Sequence, residues 1–372
     1  MTPHDATLKD VARHAGVSIT TVSRVLHNNG YASPQVRRRV ETALRESGYR
    51  LNAVAQDLRR RRTITLGIII HGGLSNPFYA EIAMGAEEAA AEQGFDVLLS
   101  NAHGDPQRER ESVERLLTRR VDGIVFSTAL RSDNVRLALD AGVSAVEVER
   151  SLCDDAPSIL VDNYAGSNEA MRHLLDLGHR RIGYVGEPWL TRRNDDGARA
   201  DSVIRQRFES YRSSLEAAGV AFDQTTIVAG PYPREQGGWG GIETGAAYMA
   251  QLLDQAADIT AVFAVSDILA AGALQALHER RIRVPDQISI VGFDDTFAHY
   301  LSPALTTVVQ PMFEMGFKAA SLAINLVGKA RSTKPLVQYC PTKLVVRKST
   351  APPQPAPERS SGSSGKGPSR RG

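Results

Sequence analysis

The chain has only two cysteines, Cys153 and Cys340, too few for a disulfide framework and with no metal-ligand spacing around either. No apolar run approaches the roughly 18 residues of a membrane span. Met1–Asp10 lacks the charged-then-apolar order of a signal peptide. Net charge is nearly missing as well, with 44 Lys+Arg against 42 Asp+Glu in 372 residues. These absences exclude the membrane, secreted and collagen-like classes, and the expectation is a cytoplasmic, soluble, multidomain protein. The near-balance conceals a gradient. Residues 1–62 carry 12 Lys/Arg and 5 Asp/Glu (+7), residues 351–372 carry 4 and 1 (+3), and the 288 residues between carry 28 and 36 (−8). A cationic head on an acidic body assigns contact with a polyanion to the head. The body, in a chain 42% apolar, is long enough to bury one or two cores.

Leu8, Val11, Ala12 and Ala15 fall at i, i+3, i+4, i+7, one apolar helical stripe. Thr7 and Asp10 stand in capping-box positions before it, and Gly16 supplies the left-handed stop. Ser18 suits the cap of a second helix, Ile19 to Leu26, with Val22, Val25 and Leu26 facing inward. Two short helices joined by a Gly-containing turn make a helix-turn-helix. Ser33-Pro34 caps and starts a third helix, which Gly48 stops after about Ser47. Any small helical domain shows such stripes; the outward residues of the second helix are more telling. Ile19, Thr20, Thr21, Ser23 and Arg24 place base-edge and phosphate chemistry near a helix N-terminus, where a recognition helix meets the major groove. Arg24 suits a bidentate grip on guanine and Thr20 a thymine methyl or a base edge, while Thr21 and Ser23 suit phosphates.

The body changes pattern. Apolar strands are expected at 65–70, 96–100, 123–127, 144–149, 182–185, 261–265 and 288–293. Amphipathic helices fall between them, as at 79–93, 107–119, 166–177, 241–253 and 268–280. Alternation of this kind means parallel sheets covered on both faces, and the count suits two doubly wound lobes. Ligands of such folds lie beyond the strand C-termini. Catalytic signals are missing. His71-Gly72-Gly73 is neither a dinucleotide fingerprint nor a P-loop, and no nucleophile elbow or zinc-protease helix occurs. His173 and His179 are six apart, wrong for two ligands on one helix face, and are expected at the surface or at caps. No enzyme activity, metal or cofactor is expected. Binding signals are stronger: Asn76-Pro77-Phe78, Asp162-Asn163, Arg205-Gln206-Arg207, Trp239, Ser266-Asp267 and Asp294-Asp295 follow or neighbour strands. Carboxylates, an Arg fork and a flat ring suit a polyhydroxylated ligand. Singly, Asp162 and Asp294 also fit as caps of following turns, and Trp239 as core or loop packing.

The stretch from TLKDVARHAGVSITTVSRVLHNNGYASP to LGIII strongly resembles the LacI/GalR transcriptional regulators. The likeness continues through NPFY, VDN, LGHRRIGYVG, AVFAVSD, VPDQISIVGFDD and LSPALTTVVQP to residue 348. It implies a helix-turn-helix head (1–50), a hinge helix and linker (51–62) and a two-lobed core like a periplasmic sugar-binding protein (63–348). The N-lobe would take about 63–163 and 296–325, the C-lobe about 164–295 and 326–348, with three crossings and a disordered tail over 349–372. The tail has no Leu, Ile or Val beyond residue 350 for the leucine heptad that makes some relatives tetrameric. From the residues alone, Asn52–Leu58 with Arg59–Arg62 is a short, capped but unstable helix or an exposed basic linker. The resemblance implies that this segment folds on operator DNA, pairs with its twin and inserts Leu58 as a minor-groove wedge. It also implies effector contacts from Phe78, Asp162, Arg207, Trp239, Ser266 and Asp294. The chain has Ser210-Tyr211 where the family has Gly-aromatic, and Gly186–Ile204 is long for its place in the cleft wall. The expected protein is a homodimeric repressor of a carbohydrate-use operon, binding near-palindromic double-stranded operator DNA under control of a sugar-like effector. A plain solute-binding protein is the alternative, and the head argues against it.

Overall fold

A computed structural model describes residues 6–26, 29–49, 63–186, 202–230, 241–332 and 334–354. The chain divides into two compact units, Met1–Thr63 and Ile64–Gly372. The expected hinge residues Asn52 and Leu58, and Trp239 of the cleft, lie outside the described residues.

The first unit holds α1 (Leu8–Ala15), α2 (Ile19–Leu26) and α3 (Pro34–Ser47). Thr7 and Asp10 form the reciprocal capping box, and Gly16, at φ 62°, returns its N–H to the end of α1. Val11, Ala12, Ala15, Val22, Val25, Val40 and Ala43 form the buried centre. Arg39 on α3 donates to the carbonyls of Ala15 and Gly16, which fixes the third helix against the turn. His14 on α1 meets Glu46 on α3 at 2.7 Å.

The second unit contains two six-stranded sheets. β1 (Thr65–Ile70), β2 (Asp96–Asn101), β3 (Gly123–Ser127), β4 (Ser144–Val148) and β5 (Ser158–Val161) enter the first sheet, and β11 (Val337–Cys340) completes it. Its order is β11-β5-β4-β3-β1-β2, parallel throughout. The second sheet takes β6 (Ile182–Gly186), β7 (Ile227–Ala229), β8 (Ala261–Ala264), β9 (Ser289–Asp294), β10 (Thr306–Val309) and β12 (Lys343–Val345). Its order is β12-β10-β9-β8-β6-β7, and only β12 runs antiparallel. The intervening helices are α4 (Pro77–Glu92), α5 (Pro106–Thr118), α6 (Ser132–Asp140), α7 (Asn163–Asp176), α8 (Ser202–Ala217), α9 (Ile242–Gln255), α10 (Asp267–Glu279) and α11 (Met312–Leu326). β1, β3, β6, β8 and β9 are buried on both faces, so they are continuous apolar runs. Among the described residues, no helix is long and apolar enough to cross a membrane.

Three expectations are corrected. The sheet changes after β5, β10 and β11, so residues 306–309 belong with the second sheet and 337–340 with the first. The boundaries expected near 296 and 326 therefore move. The Thr306–Val309 ladder pairs with β9, and Pro341, which has no N–H to donate, separates the two short strands that part to different sheets. The tail expected from 349 is anchored at its start. Ser349 is fully buried; its Oγ donates to Ile290 O and accepts from Thr306 N–H. His179, expected at the surface or a cap, is buried between Thr260 Oγ1 and Ala351 O, each at 2.9 Å. A neutral imidazole, with one donor and one acceptor, serves both neighbours.

Candidate functional site

In the first unit, Ser18 starts α2: Thr21 N–H donates to Ser18 Oγ, and the two hydroxyls meet at 2.9 Å. That bond holds Thr21 at the helix start. Val22 and Val25 turn inward, leaving Ile19, Thr20 and Arg24 exposed and Ser23 half-buried on the opposite face. Thr20 with Arg24, and Ile19 with Ser23, are i, i+4 pairs, so the four form one contiguous patch. Ile19 is 42% exposed, which no core requirement explains.

The second unit contains a cleft whose walls come from both sheets. The wall residues lie at or just past the C-terminal ends of strands or in the first turns of the helices that follow, where ligands of parallel α/β folds sit. From the first sheet come Asn76, Phe78 and Tyr79 after β1, Thr128 after β3, and Glu149 and Arg150 after β4. From the second come Val203, Ile204 and Arg207 on α8, Val265, Ser266 and Ile268 after β8, and Asp294 at the end of β9. Asn76 caps α4 by accepting from Phe78 N–H, and Pro77 presets the first turn. The same motif sets the Phe78 ring edge-on to Tyr79 at 5.2 Å.

Arg207 is the centre of the second wall. Its guanidinium lies 3.7 Å over the Phe293 ring and 3.8 Å from the Asp294 carboxylate. Nε donates to Asn163 Oδ1 and Nη1 to Val265 O. Nη2 is buried and has no hydrogen-bond partner among the described residues. Gln310 donates to Asp294 Oδ1 at 2.7 Å. Burial pushes the Asp294 carboxyl upward, Arg207 and Gln310 oppose this, and Glu149 adds to it. Behind it, Asp267 is wholly enclosed, accepting from Thr307 Oγ1 at 2.6 Å and Thr296 N–H at 3.2 Å. Asp267 thus ties β10 to the loop after β9, while Ser266 before it stands on the cleft wall.

Three cleft residues and the neighbour of one adopt positive φ although none is glycine: Thr128 at 66°, Glu149 at 71° and Asp294 at 120°, with Asp295 at 61° beside it. Each such conformation costs on the order of 1–3 kcal/mol and persists where the surroundings fix it. Here the strand ends are turned sideways, and Thr128 Oγ1 donates a short hydrogen bond to Glu149 Oε2 across them.

Of the expected effector residues, Phe78, Arg207, Ser266 and Asp294 come together on these walls. Asp162 is exposed and caps α7 through Ala165 N–H; the cleft does not include it, and its neighbour Asn163 holds Arg207 instead. The sequence reading missed Thr128, Glu149 and Arg150. Their only signal is position: Thr128 and Arg150 stand one residue past expected strands, and Glu149 is the last residue of one. Among the described residues, no cluster of three or more His, Cys, Asp or Glu could hold a metal ion.

A helix-turn-helix unit and a two-lobed body with its cleft at the strand C-termini define a class, the helix-turn-helix regulators with a periplasmic-binding-protein-like domain. The comparisons agree on both parts. The family described as "Bacterial regulatory proteins, lacI family" matches residues 7–52, and "Periplasmic binding protein-like domain" matches 171–350. The HTH-type transcriptional regulator DegA of Bacillus subtilis is 36% identical over 93% of this chain and 98% of its own length. The ribose operon repressor of Escherichia coli is 32% identical over 90% and 95%. The Lac repressor dimer bound to operator and the anti-inducer ONPF superposes with TM-score 0.78 at 27% identity, covering 94% of this chain and all of that one. A complex of the transcriptional regulator CelR with cellobiose gives TM-score 0.66 at 32% identity over 92% and 99%. The chain belongs to the LacI family of bacterial transcriptional regulators.

Proposed function

We propose that the chain is a cytoplasmic, homodimeric repressor that binds a near-palindromic operator and releases or grips it according to a neutral, sugar-like effector in the cleft. The observation that carries the effector part is the Arg207–Asp294 pair. A buried guanidinium with Nη2 unbonded lies beside a carboxylate with acceptor capacity, so together they offer a donor and an acceptor to vicinal hydroxyls. Phe78 and Tyr79 supply an apolar face for the C–H side of a sugar ring. Cellobiose in the CelR complex and the ribose operon repressors among the relatives support this ligand class.

The head contributes the reading patch of Ile19, Thr20, Ser23 and Arg24, with Thr21 and Ser18 holding the helix start. In this reading the cleft binds and does not catalyse. Its central carboxylate is held in place by Gln310 and faces Arg207, with acceptor capacity left for a ligand, and its task is recognition. A ligand that prefers one lobe arrangement shifts the DNA-competent population, and moving it from mostly bound to mostly released takes about 5.5 kcal/mol of differential affinity.

The test is a thermal-shift panel of neutral mono- and disaccharides, sugar phosphates and amino acids on the full chain, followed by operator titration with the best ligand. A neutral sugar that raises Tm and changes operator affinity supports the proposal. Stabilisation only by charged, non-sugar ligands would reject the effector class. DNA binding that does not weaken with salt would reject the repressor reading.

A further inference from the structure

We propose a second ligand site in the first lobe, separate from the effector cleft, for a small amphipathic anion: a carboxylate on an apolar body of about eight carbons. A cavity of about 250 Å³, larger than the cleft, lies where the end of α11 and the segment after it cross the N-terminal end of β4. Its floor is aliphatic, from Leu139, Val143, Ala145, Leu322 and Leu326, with the exposed Leu336 at its edge. It is held open by bonding elsewhere. Ser144 Oγ donates to Ala323 O at 2.8 Å, which pins α11 to β4 beneath the cavity. At one side Arg331 is fixed to Asp140 at 3.2 Å.

The rim explains the ligand's charge. Lys329, Arg331 and Lys334 line it against a single carboxylate, Asp155, which faces Arg136 at 3.7 Å. Among the described residues, neither the Lys329 nor the Lys334 ammonium has a carboxylate within 4.0 Å, so the rim has two cations to offer. An aliphatic floor under a cationic rim matches an apolar chain ending in an anion; a neutral polyol would leave the floor unfilled, and a hydrocarbon would ignore the rim. The site lies at the opposite end of β4 from Glu149 and Arg150, so it shares no lining residue with the effector cleft.

The probe is octanoate, measured by equilibrium dialysis on the full chain, with octan-1-ol as the uncharged control. One saturable equivalent per chain is expected, with octan-1-ol weaker by about tenfold, the loss of one charge-assisted contact. The Lys329→Glu/Lys334→Glu variant changes two exposed side chains, and it should weaken octanoate by about tenfold or more while leaving sugar-induced stabilisation unchanged. Ala330→Trp, also exposed, narrows the mouth and should weaken both probes. Non-saturable uptake, octan-1-ol bound as tightly as octanoate, or octanoate binding unmoved by the charge reversal would each overturn the proposal. Octanoate displaced by the effector sugar would also overturn it, since binding would then be in the cleft.

Discussion

Arg207 holds its guanidinium 3.8 Å from the Asp294 carboxylate, and both are buried at the C-terminal edge of the second sheet. Removing one partner of such a pair strands the other charge, so Arg207→Ala is expected to destabilise by about 3–5 kcal/mol in urea titration. Arg207→Lys keeps the charge and should recover part of that loss. It cannot keep the planar fork that spans Asn163, Val265 and the cleft, so the ligand-induced rise in Tm should vanish in both variants. An undiminished rise in Arg207→Lys would remove Arg207 from the binding site.

Arg24 lies one turn after Thr20 on the exposed face of α2, with Val22 and Val25 behind it in the core. Arg24→Ala leaves that core intact. It should cost about 1–3 kcal/mol at the preferred operator and relax selectivity at one base pair. Competition against single-substituted operators separates this from a phosphate contact, for which all sequences would weaken equally and the salt slope would fall by about one.

The head was legible because its determinants are local. Thr7 with Asp10, Gly16, Ser33-Pro34 and Gly48 act within a few residues of the helix ends they set, and the structure places each there. The central strands were legible for a similar reason, being continuous apolar runs. The strands at 158–161, 227–229, 306–309, 337–340 and 343–345 are three or four residues long, too short to show a period. The cleft was half legible. Phe78, Arg207, Ser266 and Asp294 sit in motifs, whereas Thr128, Glu149 and Arg150 are brought to the wall only when β3 and β4 end side by side. His179 shows the same limit: its partners, Thr260 and Ala351, are 81 and 172 residues away.

That histidine links the segment after β12 to the sheet. Burial lowers its pKa below the ordinary 6.5, His173 and Arg180 push the same way, and the bond to Ala351 O opposes them. With the folded value depressed, the neutral imidazole is the stabilising form. Its contribution is complete above about pH 6.5 and is lost as pH falls through the folded value. The Ala351 amide donates to Ser289 Oγ at 3.0 Å and reports on this anchorage. Its hydrogen-exchange protection, corrected for intrinsic rate, should fall on acidification from about pH 7.5 to about pH 5. His179→Gln should lose that dependence. Equal protection at both pH values would show that His179 does not control the anchorage.

Glu147 gives the opposite sign. It is fully buried under the loop after β4, where its two oxygens accept from Leu152 N–H at 3.0 Å and Cys153 N–H at 3.1 Å. Burial outweighs those bonds and, with Glu109 and Asp154 adding repulsion, raises the carboxyl from 4.5 to about 7. A raised folded value means that the protonated acid is the form favoured by folding. Its contribution is complete below about pH 4.5 and is lost as pH rises through about 7. Glu147→Gln removes the ionisation but turns an amide N–H₂ toward one of the two backbone donors. The variant should therefore be less stable than the parent near pH 5, by about 1–2 kcal/mol. The gap should close or reverse by about pH 8, where the parent bears a buried charge and the variant does not. Glu109, raised to about 7 by its own burial, contributes a slope of the same sign, so Glu109→Gln/Glu147→Gln should flatten the profile further. Urea midpoints across this range decide the matter: a gap that stays constant with pH would mean that Glu147 is ionised throughout and that its amide bonds outweigh the burial.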